Sequence, residues 1–167
     1  MSGSSSRKAA VDPERFRQLI SRFPTGVTVA TTLNRHGAPQ GMTASAVASV
    51  SLQPPILLVC VDHTADFHAA VSTARTFALS VLAHDQEHLS RRFAEERTDR
   101  FDGVPLIKGP DGVPLIDGAV AHIVCERSGS HEAGDHTVFF GRVTGGETFN
   151  LRPLVHFRSG YTTTAGG

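Results

Sequence analysis

The feature that most constrains the fold is a succession of strand-like segments with no long helix between them. Gly26–Leu33 is rich in Val and Thr, Ile56–Val61 is a short apolar run, and Ala119–Glu132 and Thr137–Glu147 form a longer pair. Parallel strands need crossover connections, whereas antiparallel strands need only turns. We therefore predict about six or seven antiparallel strands in a mainly β barrel with two or three peripheral helices.

Three short segments carry helix signals. Asp12-Pro13-Glu14 combines an N-cap residue, a proline suited to the first turn and an acid at the positive end of the helix dipole. Asp66–Thr73 and His84–Glu96 are predicted as further short helices. Gly103–Gly118 contains Gly-Val-Pro-Leu-Ile twice and is predicted to be a surface loop with two similar turns.

Composition and charge exclude several classes of function. The 167 residues suit one domain, placed at residues 12–161 between a disordered segment at 1–11 and a flexible tail at 162–167. A formal net charge of +0 indicates no nucleic-acid partner, and the longest apolar run is too short to cross a membrane. The His residues show no H-E-x-x-H pattern, so no metal site is predicted. Cys60 and Cys125 lie in apolar runs and are predicted to be reduced core thiols of a cytoplasmic protein.

Two segments offer candidate chemistry, and the chain has no G-x-G-x-x-G, Walker A or G-x-S-x-G sequence. Gly41–Pro55 presents small side chains and hydroxyls on an extended backbone, which suits a flat ligand with polar edges. An ordinary solvent-facing strand rich in Ser and Ala has the same composition. Gly134-Asp135-His136 joins two predicted strands, and by composition alone it is a plain turn. Within it, Asp135 can accept the N–H of His136 and so fix the tautomer of the ring.

Taken in order along the chain, these segments resemble the short-chain flavin reductases. These proteins have the FMN-binding split β-barrel fold and serve as reductase components of two-component flavin-dependent monooxygenases. The resemblance covers residues 12–161 and is carried by Phe23–Val29, Gly41–Ser45, Ser49–Pro55, Glu132–His136 and Pro153–Arg158. One departure is Asp66, since the family commonly has a turn rich in Ser and Thr there and a carboxylate repels a phosphate. Asp66 is therefore also a candidate cap for the helix that follows it.

The resemblance implies a set of cofactor-binding residues. Those expected at the isoalloxazine ring and ribityl chain are Gly41, Met42, Thr43, Ala44, Ser45 and Ala46, with backbone contacts from Cys60, Val61 and Asp62. Those expected at the phosphate or adenosine end are Asp66, Phe67, Phe93 and Ala94, with Ser49, Ser51 or Arg92 as alternative phosphate ligands. His136 is the one catalytic-site residue, expected to position the nicotinamide rather than to donate a proton, with Arg158 and Tyr161 near the dinucleotide.

The same resemblance implies an activity and partners. The expected reaction is hydride transfer from NADH to FAD or FMN in a homodimer that supplies reduced flavin to a partner monooxygenase. NADH is favoured because no Arg cluster marks a pocket for a 2′-phosphate, but NADPH and the choice of flavin stay open. Two alternatives also stay open: a split-barrel flavin oxidase of the pyridoxamine-phosphate oxidase type, and a flavin- or haem-binding module without turnover.

Overall fold

The architecture is a curled, seven-stranded antiparallel sheet, seen in a computed structural model that describes residues 9–165. Helices α1 (Pro13–Ile20), α2 (Asp66–Thr73) and α3 (Glu87–Ala94) flank the sheet. The strands are β1 (Thr25–Gly26), β2 (Thr28–Leu33), β3 (Pro39–Ala44), β4 (Val47–Leu52), β5 (Pro55–Asp62), β6 (Thr76–Val81), β7 (Leu106–Lys108), β8 (Pro114–Ile116), β9 (Ala121–Ala133), β10 (His136–Thr148), β11 (Leu154–Phe157) and β12 (Gly160–Thr163). The predicted mainly β, antiparallel barrel with peripheral helices is confirmed.

The strand order explains where the barrel splits. Across the sheet the strands run β3-β2-β6-β9-β10-β5-β4, so β3 and β4 are the two edges although they are consecutive in the chain. Only Ser45 and Ala46 connect them, and the flanking Cα atoms can be no more than roughly 11 Å apart. The sheet therefore curls until its two edges meet beside Ser45 and Ala46. We call this meeting point the seam.

Alternation along β5 separates the inside of the barrel from the outside. Leu57, Val59 and Val61 are buried and pack with Phe77 and Phe139 in the main core. The residues between them are half-buried on the outer face, because successive strand side chains point to opposite sides. A second core lies outside the sheet, where α3 packs against β2 and β11. The outer face of β5 is thus free to form part of a site.

The helices follow their local sequence signals closely. Asp12 caps α1, with its Oδ1 accepting the backbone N–H of Arg15 at 2.8 Å. Helix α2 has the predicted bounds, whereas α3 is shorter than the predicted His84–Glu96. The difference at its start arises because Ala83 forms a bridge with Pro153 and the helix begins only after that bridge. No helix within the described residues is both long and apolar enough to cross a membrane.

Some local predictions need correction. Residues 9–165 contain twelve strand segments, more than the predicted six or seven, because β3 and β4 are separate strands on either side of the seam and several short pairs were not foreseen. Gly103–Gly118 is not a plain surface loop, since β7 and β8 pair across it and Ile116 is fully buried. Strand β12 extends to Thr163, so the predicted tail at 162–167 begins within a strand. Residues 1–8 and 166–167 of the predicted flexible ends lie outside the described residues.

Candidate functional site

A cleft of about 620 Å³ opens on the outer surface at the seam, and ligand pockets commonly occupy roughly 300–1,000 Å³. Its floor consists of mostly small side chains from the strands, and its rim includes apolar side chains near the end of α1. The lining residues are Ile20, Phe23, Pro24, Thr25, Gly26, Thr28, Ser45, Ala46, Val47, Ala48, Leu58, Cys60 and Val81. Of the predicted cofactor-binding residues, Ser45, Ala46 and Cys60 therefore lie together in one cleft.

Hydrogen bonds fix the backbone at the floor of this cleft. The Thr28 hydroxyl donates to the Ala44 carbonyl at 2.7 Å, and the Cys60 N–H donates to the Ala46 carbonyl at 3.0 Å. The hydroxyl of Thr25 is buried without a hydrogen-bond partner among the described residues, and a buried polar group gains from a partner. A flat ring with polar edges fits these walls and this hydroxyl.

The register of β10 against β5 places His136 on the same face as the cleft. His136 lies opposite Asp62, and Val138 lies opposite Cys60, and directly opposed side chains project from the same side of a sheet. Since Cys60 and Asp62 are two residues apart, His136 lies about 7 Å further along the strands than the cleft floor. A ligand on this face can therefore reach both the cleft and His136.

The ring of His136 is held in one orientation by its neighbour. Nδ1 of His136 lies 2.7 Å from Oδ1 of Asp135, and a carboxylate can only accept, so Nδ1 carries the proton and Nε2 is left for a ligand. The predicted Asp135–His136 hydrogen bond is confirmed, and it lowers the pKa of Asp135. Hydrogen bonds from the backbone and hydroxyl of Thr64 likewise lower the pKa of Asp62. Two carboxylates thus stay ionised near the ring.

Several predicted site residues form a packed cluster instead of lining the cleft. Gly41 is buried on β3, where a Cβ atom would lie 2.9 Å from Phe101 and 3.0 Å from Phe93. The rings of Phe93 and Phe101 pack edge to face, with centroids 5.0 Å apart. Thr43 points the same way and donates to the Ser90 carbonyl at 2.6 Å. We call Gly41, Thr43, Phe93 and Phe101 the packing cluster.

Other predicted contacts are buried in the barrel core. Ala44, Val61 and Phe67 are buried and Met42 packs against them. Their side chains face away from the cleft, so only backbone atoms of these residues are available to a ligand on the outer face.

The charged candidates for the phosphate are engaged elsewhere. Asp66 does not cap α2, because the N-cap position is Ala65 and no side chain caps this helix. The Asp66 carboxylate instead lies 3.6 Å from the buried guanidinium of Arg100, which also donates to the Gly41 carbonyl at 2.6 Å. Arg92 donates to two backbone carbonyls of the loop after α3. The repulsion expected between Asp66 and a phosphate is therefore reduced by Arg100.

The remaining predicted residues lie away from the cleft. Ser49 and Ser51 line a separate cavity of about 550 Å³ between β4, β9 and β10. Arg158 lies over the ring of Phe157, and the Tyr161 hydroxyl is 2.8 Å from that of Ser90. Ala94 is exposed at the end of α3.

The structure also adds residues that sequence reasoning missed. Ile20 and Phe23 line the cleft, and Phe23 is 66% exposed, whereas an apolar helical face ordinarily packs on a core. Leu58 is the outward residue between two inward ones on β5, and the continuous apolar run Ile56–Val61 gave no signal that separated it from its neighbours. No local pattern identified the contacts of Arg100.

Comparison with known proteins identifies the family. Residues 20–165 match the family described as the flavin reductase like domain. The chain belongs to the flavin reductase family. Among curated flavin reductase relatives, it is 39% identical over 154 residues to reductase subunit HsaB of a flavin-dependent monooxygenase from Rhodococcus jostii, covering 92% of this chain and 78% of that one. It is 41% identical over 158 residues to an NADH-dependent FAD reductase from Streptomyces globisporus, covering 90% and 86%.

Solved structures of the flavin reductase family share the fold. The NADH:FAD oxidoreductase SgcE6 of Streptomyces globisporus, determined in complex with NAD and FAD fragments, has a TM-score of 0.87 and 39% identity, covering 95% of this chain and 98% of that one. Some relatives are longer, and the chain spans 65% and 49% of two from Rhizobium meliloti.

Proposed function

We propose that this chain is an NADH:flavin oxidoreductase that supplies reduced FAD or FMN to a separate flavin-dependent monooxygenase. The observation that carries the proposal is the shared face of β5 and β10, where the seam cleft and the oriented His136 lie side by side. The names of relatives that cover most of this chain support both the nicotinamide and the monooxygenase partner.

The seam cleft is the proposed flavin site. Ser45, Ala46 and Cys60 offer backbone groups and small side chains, and the hydroxyl of Thr25 offers a polar atom at the wall. When bound, the flavin supplies the hydride acceptor, and the protein contributes alignment and electrostatics. The apolar side chains of α1 at the rim restrict water access to a ring lying in the cleft.

His136 is proposed to hold the nicotinamide ring above the flavin. Because Asp135 occupies Nδ1, Nε2 of the neutral imidazole can accept a hydrogen bond from a carboxamide N–H. This contact would set the distance and angle between the nicotinamide and flavin rings. Because no side chain transfers a proton, this alignment is the protein's main contribution to the rate of hydride transfer. NADH is proposed over NADPH on the names of relatives.

We further propose a homodimer in the cytoplasm. Phe16, Leu19, Ile20 and Phe23 are each at least half exposed on and just after α1, and Leu52 is 85% exposed. Apolar clusters of this kind mark association surfaces, and a two-fold contact is the commonest arrangement. Two unpaired cysteines fit a reducing compartment.

Steady-state kinetics with both nicotinamides and both flavins test the activity. The expected result is flavin-dependent loss of NADH absorbance, with NADPH a poorer donor. Failure to oxidise either nicotinamide in the presence of FAD or FMN would refute the reductase proposal. Light scattering at several concentrations tests the dimer, and Phe23→Glu should shift the protein to monomer.

The role of His136 has its own test. His136→Ala should raise the KM for NADH about tenfold, the loss of roughly 1.4 kcal/mol of binding, with flavin affinity almost unchanged. His88→Ala, at an exposed position of α3, is the matched control and should behave as wild type. Loss of flavin binding with an unchanged KM for NADH would contradict the assignment.

A further inference from the structure

A chain of four polar side chains lies behind the corner that carries His136. The Glu132 carboxylate accepts from Nε2 of His63 at 2.8 Å with one oxygen and from the Thr137 hydroxyl at 3.0 Å with the other. The same hydroxyl lies 2.8 Å from Nε2 of His68 on α2. The loop between β5 and α2, both strands of the β9–β10 hairpin and α2 are thereby joined.

The directions of these hydrogen bonds are fixed by chemistry. A carboxylate only accepts, so His63 donates from Nε2 and Thr137 donates its single hydroxyl hydrogen to Glu132. The Thr137 oxygen must then accept from Nε2–H of His68. Each imidazole is therefore held in one tautomer, and both oxygens of Glu132 are engaged.

These four hydrogen-bonded side chains lie on the opposite side of the hairpin from the His136 ring. Glu132 is opposite Thr137 in the register, and Thr137 is opposite the buried Val61, so both face the inner side. His136 faces the outer side with Asp62. The backbone of the corner is also held directly, because the His63 N–H donates to the Asp135 carbonyl at 3.1 Å.

Resting on the function proposed above, we propose that His63, Glu132 and Thr137 are positioning residues for the nicotinamide, acting through the backbone of the Gly134-Asp135-His136 corner. The backbone N–H of His63 donates to the Asp135 carbonyl, and the His63 imidazole donates to Glu132, two residues before Gly134. Gly134 has φ +68 and no side chain, so the corner itself has few contacts to fix it. We call His63, Glu132 and Thr137 the brace. The brace restrains the backbone of the corner without touching a ligand on the outer face.

The brace contributes position more than stability. The side chain of Glu132 is 73% exposed and that of His63 39% exposed, and ion pairs in such settings add little to the free energy of unfolding. Thr137 is only 2% exposed, so its hydroxyl depends on the partners described. The expected signature is therefore a change in NADH binding with little change in thermal stability.

The test combines kinetics with hydrogen exchange. His63→Ala and Glu132→Ala should each raise the KM for NADH about fivefold, with kcat and flavin affinity within about twofold, and the double variant should be no worse than either single one because the residues act as one unit. His63→Gln, whose amide can still donate to Glu132, should recover most of the affinity. Backbone amides of residues 133–136 should exchange faster in His63→Ala than in wild type.

Controls separate this brace from a general loss of structure. Thr137→Val keeps the shape of a buried side chain and should reproduce the KM effect, whereas Glu147→Ala, at an exposed position at the far end of β10, should change nothing. Equal KM values for NADH in wild type and all brace variants would overturn the proposal, as would additive effects in the double variant. If the wild-type protein oxidises no NADH, the proposed function fails, and unchanged exchange at residues 133–136 would then show separately that the brace does not exist.

Discussion

The middle of β3 and the connection that follows it differ sharply, although the resemblance to flavin reductases assigned cofactor contacts to both. Just after the strand, Ser45 and Ala46 open into the seam cleft. Earlier in the strand, Gly41 lies under the rings of Phe93 and Phe101 in the packing cluster. A family motif therefore combines residues that face a ligand with residues that hold the ligand-facing segment in place.

Arg100 extends this contrast to charge. Its side chain is buried and joins the Gly41 carbonyl, the Arg97 carbonyl, Glu96 and, more distantly, Asp66. Arg100 pairs the Gly41 carbonyl of β3 within the protein, whereas the cleft wall includes the Thr25 hydroxyl, which has no partner among the described residues. The polar groups around Gly41 are thus paired within the protein, whereas the cleft has a polar group on β1 that is available to a ligand.

The largest expected effect belongs to the packing cluster. Phe93→Ala should lower the free energy of unfolding by roughly 3–5 kcal/mol, because Phe93 is 1% exposed and its loss leaves a cavity. Urea denaturation measures this change, and Phe149→Ala, at a partly exposed ring, should cost far less. A cost below about 1 kcal/mol for Phe93→Ala would mean that the cluster is not a packed unit.

Gly41→Ala should destabilise the protein by about 1–3 kcal/mol, the usual cost of overpacking. The added Cβ atom would be 2.9 Å from Phe101, so the two rings would have to move. Gly129→Ala is the matched control, since no atom lies within 4 Å of its added Cβ atom and its φ is not positive. Equal decreases in the denaturation midpoints of the two variants would show that close packing around Gly41 does not cause the loss of stability.

Ala46→Phe tests the cleft side of the comparison. A large ring at this exposed position should fill the cleft and weaken flavin binding about tenfold or more, or roughly 1.4 kcal/mol. The free energy of unfolding should stay within about 0.5 kcal/mol of wild type because no buried group is disturbed. Flavin titration by fluorescence measures the affinity, and denaturation measures the free energy of unfolding. A flavin affinity equal to that of wild type would place the flavin outside the cleft.

The smallest expected effect at neutral pH is that of thiol ionisation on the free energy of unfolding. Of the two cysteines, Cys125 lies in the core and Cys60 lies in the cleft wall. Burial raises the pKa of the Cys125 thiol to about 12, above its usual value of 9.0. The folded state thus retains a proton that the unfolded state loses, so this contribution to stability is complete below pH 9.0 and is lost as the pH rises toward about 12. Unfolding free energies of wild type and Cys125→Ala, measured between these pH values, should converge as the pH rises.

Thiol labelling completes that comparison. Cys60 is half-buried in the cleft wall, and burial raises its pKa too, but less strongly. It should react slowly with a thiol reagent in the native protein, and Cys125 should react only after unfolding. Protection of Cys60 by added flavin would locate the flavin in the cleft, and unchanged labelling would argue against it.

Local sequence patterns determined much of the fold. Asp12-Pro13 begins α1, Asp66–Thr73 forms α2, and the turn residues between Val- and Thr-rich segments enforce antiparallel pairing. The Asp135–His136 hydrogen bond was also predictable, because adjacent residues need no long-range contact to meet. These features depend on interactions within a few residues.

Only the tertiary structure decided which candidate residues face a ligand. Gly41 and Ala46 belong to the same short motif, yet the curl of the sheet buries the first under Phe93 and Phe101 and opens the second at the seam. Burial and register depend on contacts between residues far apart in the chain, which composition does not encode. The grouping of His63, Glu132 and Thr137 behind His136 likewise arises only when β5, β9 and β10 are paired.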